Sequence, residues 1–186
     1  MQWRNTADSY GPVAKFLHWA IVVLIIAQYV VIEAAEELPR GLEKLELVSR
    51  HKSVGMLVLL LAVARILWKL ANRGQPGLVP MPRLQRIAAA TGHGVLYLLI
   101  LAQPITGWMM SSAANYPVTF FGWFQFPALL APSEAAHEAL EETHEVLFTV
   151  LVVVAVIHAL AALYHHFRLK DDTLRRMLPF VQPRHR

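Results

Sequence analysis

The chain has 186 residues, 56% of them hydrophobic and only 16% charged, with a net charge of +4 and no cysteine. Water-soluble domains carry about a quarter of their residues as charges, so an ordinary soluble fold is excluded. The lack of cysteine excludes disulfides, iron–sulfur ligation and the covalent attachment of c-type haem.

Four apolar runs account for the composition. The first covers about residues 13–32 and carries His18 in the stretch FLHW. It is longer than the apolar core of a cleaved signal peptide and reads as a retained membrane helix. The second, about 54–70, follows SRHKSVG with His51, and Arg65 and Lys69 interrupt its far end. The third, about 87–113, begins near TGHGVLY with His93 and continues through QPITGWMMSSA. Its small residues let a neighbouring helix or a flat macrocycle approach the backbone closely. Residues 114–142 form a long connection, within which SEAAHEALEETHE reads as an amphipathic surface helix. The fourth run, about 146–167, is bracketed by His144 and the pair His165 and His166, with His158 inside it. Each run reaches or approaches the roughly 20 residues that a membrane helix needs. The expected fold is therefore an all-α membrane protein, a single domain built as a four-transmembrane-helix bundle.

Charge placement orients the bundle. Thirteen of the seventeen basic residues fall on one side: Arg4 and Lys15, then Arg65, Lys69, Arg73, Arg83 and Arg86, then Arg168, Lys170, Arg175, Arg176, Arg184 and Arg186. The other side holds Arg40, Lys44, Arg50 and Lys52 among many glutamates. The positive-inside rule then places both termini in the cytoplasm. Topology explains the net positive charge without any nucleic-acid partner.

Polar residues within a bilayer are functional candidates by default. His18 and His93 enter with helices one and three and belong to the inner side, whereas His51 and His144 belong to the outer side. His144 and His158 are 14 residues apart, which leaves them within about 40° on one helix face and roughly 21 Å apart along the axis. His51 is thus placed to meet His144 at the outer level, and His18 to meet His158 at the inner level. Two facing imidazole pairs at two depths are what two six-coordinate haems require. The competing reading of His158 is a histidine hydrogen-bonded to a neighbouring helix. A small metal such as zinc needs three or four converging ligands, which separated pairs do not supply.

The remaining polar residues leave alternatives open. Arg65 follows His51 by the same 14-residue step and reads either as a partner for a haem propionate or quinone carbonyl, or as an arginine reaching the cytoplasmic surface. Arg50 and Lys52 flank His51 and either neutralise outer propionates or anchor the interface. His93 either hydrogen-bonds a quinone or caps its helix. His165 and His166 are interfacial, available to haem propionates or lipid phosphates. His137 reads as a solvated side chain.

Together these blocks resemble the bacterial cytochrome b561 family of small membrane cytochromes. The resemblance spans nearly the whole chain: LHW in the first helix, HKSVG followed by Arg65 in the second, H-x3-Y and P-x2-GW in the third, and H-x13-H followed by ALYHHF in the fourth. It implies a four-helix bundle in the bacterial inner membrane with two haem b groups in its core, exchanging electrons with the quinone pool. The ligands it implies are His18, His51, His144 and His158, the same four as the depth argument. Some members of this family are superoxide oxidases, which pass an electron from periplasmic superoxide to ubiquinone. Related cytochromes relay electrons between quinone and a periplasmic redox protein. The glutamate-rich outer side of this chain departs from what an anionic substrate favours and equally suits a basic protein partner. A histidine-containing membrane transporter without haem is the remaining alternative.

Overall fold

The computed structural model describes residues 3–6, 8–72 and 81–181. Arg73, Arg184 and Arg186, counted above in the charge asymmetry, lie outside these described residues. The chain forms four long helices: α1 (Pro12–Glu36), α2 (Leu42–Ala71), α3 (Arg83–Ala113) and α4 (Glu134–Tyr164). With 25 to 31 residues each, they reach about 37–46 Å at 1.5 Å per residue. That exceeds a hydrocarbon core about 30 Å thick. All four are long and apolar enough to cross a membrane.

The helices extend beyond the apolar runs in an instructive way. α2 begins at Leu42, so His51 stands within a continuous helix rather than in a loop before it. The SEAAHEALEETHE stretch is not a separate surface helix but the opening turns of α4. No glycine or proline separates Glu134 from Tyr164, and nothing in the backbone chemistry interrupts the helix. Ser133 caps its start by accepting the Ala136 N–H at 3.3 Å. Pro12 occupies the first turn of α1, where its missing N–H costs nothing.

Neighbouring helices pack in chain order, α1 on α2, α2 on α3 and α3 on α4. Ile21, Ala62, Leu99, Ile100 and Leu151 form the buried cluster at the centre. The outer faces carry exposed Val23, Ile26, Val30, Val153, Ile157 and Leu160, which suits a bilayer rather than water. Among the described residues α1 and α4 do not pack backbone against backbone. They meet through side chains, as where Tyr29 stacks on Phe148 with ring centroids 5.7 Å apart. This leaves room in the bundle core between the helices that carry the histidines.

Two features lie outside the helices. The connection after α3 holds an antiparallel hairpin, β1 (Val118–Phe120) and β2 (Phe124–Phe126), pairing Val118 with Phe126 and Phe120 with Phe124. Its turn places Phe121 at φ 50° and Gly122 at φ 77°, the left-handed conformations that favour glycine. After α4 the chain makes a π-helical turn, His165–Leu169, that ends at Lys170 with φ 54°. The segment that follows folds back beneath α1, where the Trp19 Nε1–H donates to the Met177 carbonyl at 2.9 Å.

Candidate functional site

The bundle brings the predicted histidines together in two pairs. His51 from α2 faces His144 from α4, with ring centroids 6.5 Å apart and ring planes inclined at 77°. His18 from α1 faces His158 from α4 at 6.4 Å and 75°. The near identity of the two geometries is notable because different helices supply the partners. Two imidazoles on opposite sides of one metal, each with a nitrogen at about 2.0–2.1 Å, have centroids about 6.4 Å apart. Both pairs fit an axially ligated iron.

His93 on α3 is a third imidazole at the inner level. Its ring centroid lies 5.1 Å from that of His158, at an interplanar angle of 67°. That separation is too short for the two rings to take opposite sides of one iron, so His18 is the better-matched partner for His158. Among the described residues no group of three or more histidine or acidic side chains converges to hold a small metal ion.

At the outer level the polar surroundings of the two rings repeat one another. Gln28 on α1 donates from Nε2 to the backbone carbonyl of His51 at 2.9 Å, and Gln103 on α3 donates to the carbonyl of His144 at 3.1 Å. His51 Nδ1 lies 3.3 Å from the Gln28 carbonyl oxygen, which can only accept. His144 Nδ1 lies 3.1 Å from the Thr106 hydroxyl. The single Thr106 proton is directed to the Gln103 carbonyl at 2.9 Å, so its oxygen accepts from the ring. Both imidazoles therefore carry their proton on Nδ1 and keep the Nε2 lone pair for a ligand bond, the usual role of such supporting hydrogen bonds.

A cavity of about 450 Å³ lies between these groups. Its wall includes His51, His144, Gln28, Gln103, Gly55 and Gly107. A β-carbon at Gly107 would stand 3.0 Å from His144 Cε1, and one at Gly55 would stand 3.1 Å from Gln28 Nε2. Small residues are needed here because the space belongs to the imidazole and the amide that flank the cavity. Gln28 and Gln103 also leave their Oε1 atoms buried without a partner among the described residues. The volume, the flanking imidazoles and the tight glycine contacts all fit a bulky planar group.

The basic residues divide into two sets. Lys52 lines the outer cavity, with its Nζ 5.2 Å from the Tyr116 ring centroid. Arg50 instead pairs with Glu46 at 2.6 Å on an exposed surface. Arg65 turns inward at the inner level, donating to the Ala14 carbonyl at 2.9 Å and lying 6.0 Å from the Tyr97 ring centroid. Tyr10, just before α1, has its phenol pKa raised by burial and by Tyr97, against the opposing pull of Arg65 and Arg176. His165 is engaged with the folded-back segment: its Nδ1 lies 2.5 Å from Asp171 Oδ2. The structure thus places Lys52, Arg65 and His93 beside the paired histidines, and it ties Arg50 and His165 to acids.

Gln28, Gln103, Thr106, Gly55 and Gly107 were not apparent as site residues from the sequence. Gln28 carried a signal, since it is a lone amide inside the first apolar run. Gly55 lies in the HKSVG block and Gly107 in QPITGWMMSSA, but a small residue in a membrane helix serves ordinary helix packing equally well, so the sequence did not single out either glycine.

The chain matches the prokaryotic cytochrome b561 family over residues 9–180. It is 34% identical to cytochrome b561 homolog 2 of Escherichia coli K12, covering 96% of this chain and 95% of that protein. It is also 34% identical to the probable superoxide oxidase CybB of Yersinia pestis, over 88% of this chain and 92% of that one. Cytochrome b561 homolog 1 of Escherichia coli K12 is 29% identical over 92% of this chain and 98% of its own length. With four membrane-length helices and histidines paired across its core, this chain belongs to the prokaryotic cytochrome b561 family and is a helical membrane electron-transfer protein.

Proposed function

We propose that this protein is a di-haem b cytochrome of the bacterial inner membrane that oxidises periplasmic superoxide and reduces ubiquinone. The observation that carries this reading is the pair of matched imidazole couples, His51 with His144 and His18 with His158, at two depths of one bundle. Haem b, when bound there, supplies one-electron redox chemistry suited to a two-electron quinone and a one-electron donor.

The chain's own residues then have distinct tasks. His51 and His144 hold the outer group by Nε2, with Gln28, Gln103 and Thr106 orienting their rings. His18 and His158 hold the inner group. Lys52 is the cation at the outer cavity and offers a positive approach to an anionic donor or an outer propionate. Arg65 provides a partly buried positive charge at the inner level, for an inner propionate or a quinone carbonyl. His93, ten residues inside α3, and His165, directly after α4, both lie toward the cytoplasmic side in this reading, where a reduced quinone takes up protons. Both termini are on the cytoplasmic side in this reading, which rests on the distribution of basic residues. The likeness to a protein named as a probable superoxide oxidase supports superoxide as the donor.

A second reading is favoured by the cavity mouth, where Glu33, Glu36, Glu141 and Glu145 surround the opening. Such a rim repels a small anion and attracts a basic periplasmic redox protein. Stopped-flow mixing of the oxidised protein with superoxide, with and without ubiquinone, tests the first reading. Haem reduction by the pulse, followed by reoxidation when ubiquinone is present, is the expected result. Haems that remain oxidised throughout would remove superoxide as the donor and leave the protein-relay reading.

A further inference from the structure

We infer that the β1–β2 hairpin is a membrane-seated element whose aromatic face lies among outer-leaflet lipids, at the boundary of headgroups and acyl chains. The inference goes beyond the proposed electron transfer and does not depend on the identity of the donor.

The composition of the hairpin is the first ground. Residues 117–133 include no charged side chain, although the flanking outer segments are rich in glutamate. Trp123 at the turn is 82% exposed, with Phe121 and Phe124 about half exposed beside it. Three adjacent aromatic side chains turned outward would be costly in water, and aromatic rings concentrate where a bilayer meets water.

The second ground is depth, which the hydrogen bonds set. Ser53 is buried on α2, directly before the apolar run that begins at residue 54. Its hydroxyl proton is shared between the Thr119 carbonyl at 2.9 Å and the Ser49 carbonyl at 3.0 Å, and its oxygen accepts the Phe121 N–H at 3.1 Å. The strand and its turn are thereby held at the level where α2 enters the hydrocarbon. α3 holds the returning strand at a similar position. The Trp108 Nε1–H donates to the Pro127 carbonyl at 3.0 Å, and the Trp108 ring packs edge-on against Phe126 at 5.3 Å. The Ser112 hydroxyl accepts the Leu129 N–H at 3.1 Å. Trp108 lies five residues inside the outer end of α3, about 7.5 Å at helical rise, so the hairpin folds back along the helices instead of projecting away from them.

A lipid surface suits this element better than a protein partner for both reasons. The face has no charge to give a protein contact its register, and it stands at the depth lipid already occupies around the four helices. The arrangement also bears on the outer cavity, because Val118 of β1 is buried in its wall. Lipid that holds the hairpin in place therefore also holds one side of the space beside His51.

The absence of cysteine makes a direct test simple. Trp123→Cys and Phe124→Cys, each carrying a nitroxide, are placed in the full-length protein in phosphatidylethanolamine and phosphatidylglycerol nanodiscs. Both positions are exposed, so neither change disturbs the core. Collision rates with oxygen, which partitions into lipid, and with a water-soluble nickel chelate are measured by power-saturation electron paramagnetic resonance. Ile157→Cys serves as the lipid-facing reference and Glu138→Cys as the water-facing one. The expected ratio of oxygen to nickel accessibility at both 123 and 124 is several-fold above that at 138. A ratio at either position equal to that at 138 would overturn the inference and leave that aromatic face to a protein partner or a second copy of the chain.

Discussion

Gly107→Ala is the most discriminating change available at the outer site. By helix propensity alone, alanine in the interior of α3 is more favourable than glycine by about 1 kcal/mol, so the substitution does not weaken the helix. The new methyl group, however, would lie 3.0 Å from His144 Cε1. Carbon atoms pack best at about 3.5–4.0 Å, so the ring must retreat by about 0.5 Å or more. That is comparable to the roughly 0.5 Å tolerance within which a ligand constellation works. The movement also pulls His144 Nδ1 from the Thr106 hydroxyl, now at 3.1 Å, a bond worth about 1 kcal/mol. Gly94→Ala on the same helix is the control, since no atom lies within 4 Å of a β-carbon there. Purified proteins are compared by haem content per chain and by redox titration of the two components. Gly107→Ala is expected to lose or shift the outer component alone, with the inner component and thermal stability retained, while Gly94→Ala leaves both components as they were. Two unchanged components in Gly107→Ala would refute the placement of a ligand-bearing His144 against this glycine.

Three further outcomes follow from the same geometry. His158→Ala should remove the inner haem and preserve the outer spectrum, and loss of neither would refute the inner pairing. Gln28→Leu and Gln103→Leu remove the hydrogen bonds to the carbonyls of His51 and His144 respectively, each worth about 1 kcal/mol; if these histidines hold the outer haem as proposed, redox titration should show a displaced outer midpoint and an unmoved inner one. Asp171 is pushed up by burial but pulled further down by hydrogen bonds from His165 and Thr173, so its carboxyl titrates below its ordinary value. Its contribution to holding the folded-back C-terminal segment is present above the ordinary carboxylate range and is lost as pH falls through the lowered value. Limited proteolysis of that segment should therefore rise in acid for the native protein, and Asp171→Asn should cut readily at neutral pH as well.

Much of this protein could be read directly from its residues. Bilayer thickness imposes a length on every apolar run, so the four spans were visible without any packing information. The helical repeat did the same for the histidine ladder, because His144 and His158 share a face by spacing alone. Their partners on α1 and α2 followed from depth, and the bundle does bring those rings to 6.4 and 6.5 Å. Where apolar runs ended, the sequence was a weaker guide: α4 continues outward through a polar stretch because helical backbone needs only the absence of breakers, not hydrophobicity.

Other features depend on groups distant in sequence and were decided only by the fold. The closeness of His93 to His158 depends on how α3 lies against α4, which no local pattern encodes. The contacts of Arg50 and Arg65 also come from the fold: Glu46 one turn away for the first, the Ala14 backbone carbonyl on another helix for the second. The hairpin's depth rests on Ser53, a residue 66 positions from the carbonyl it binds. The supporting amides of Gln28 and Gln103 likewise act on backbone carbonyls of other helices. Periodicity and bilayer thickness act along one chain segment at a time, whereas a hydrogen bond or a ring contact between helices exists only once the bundle has closed.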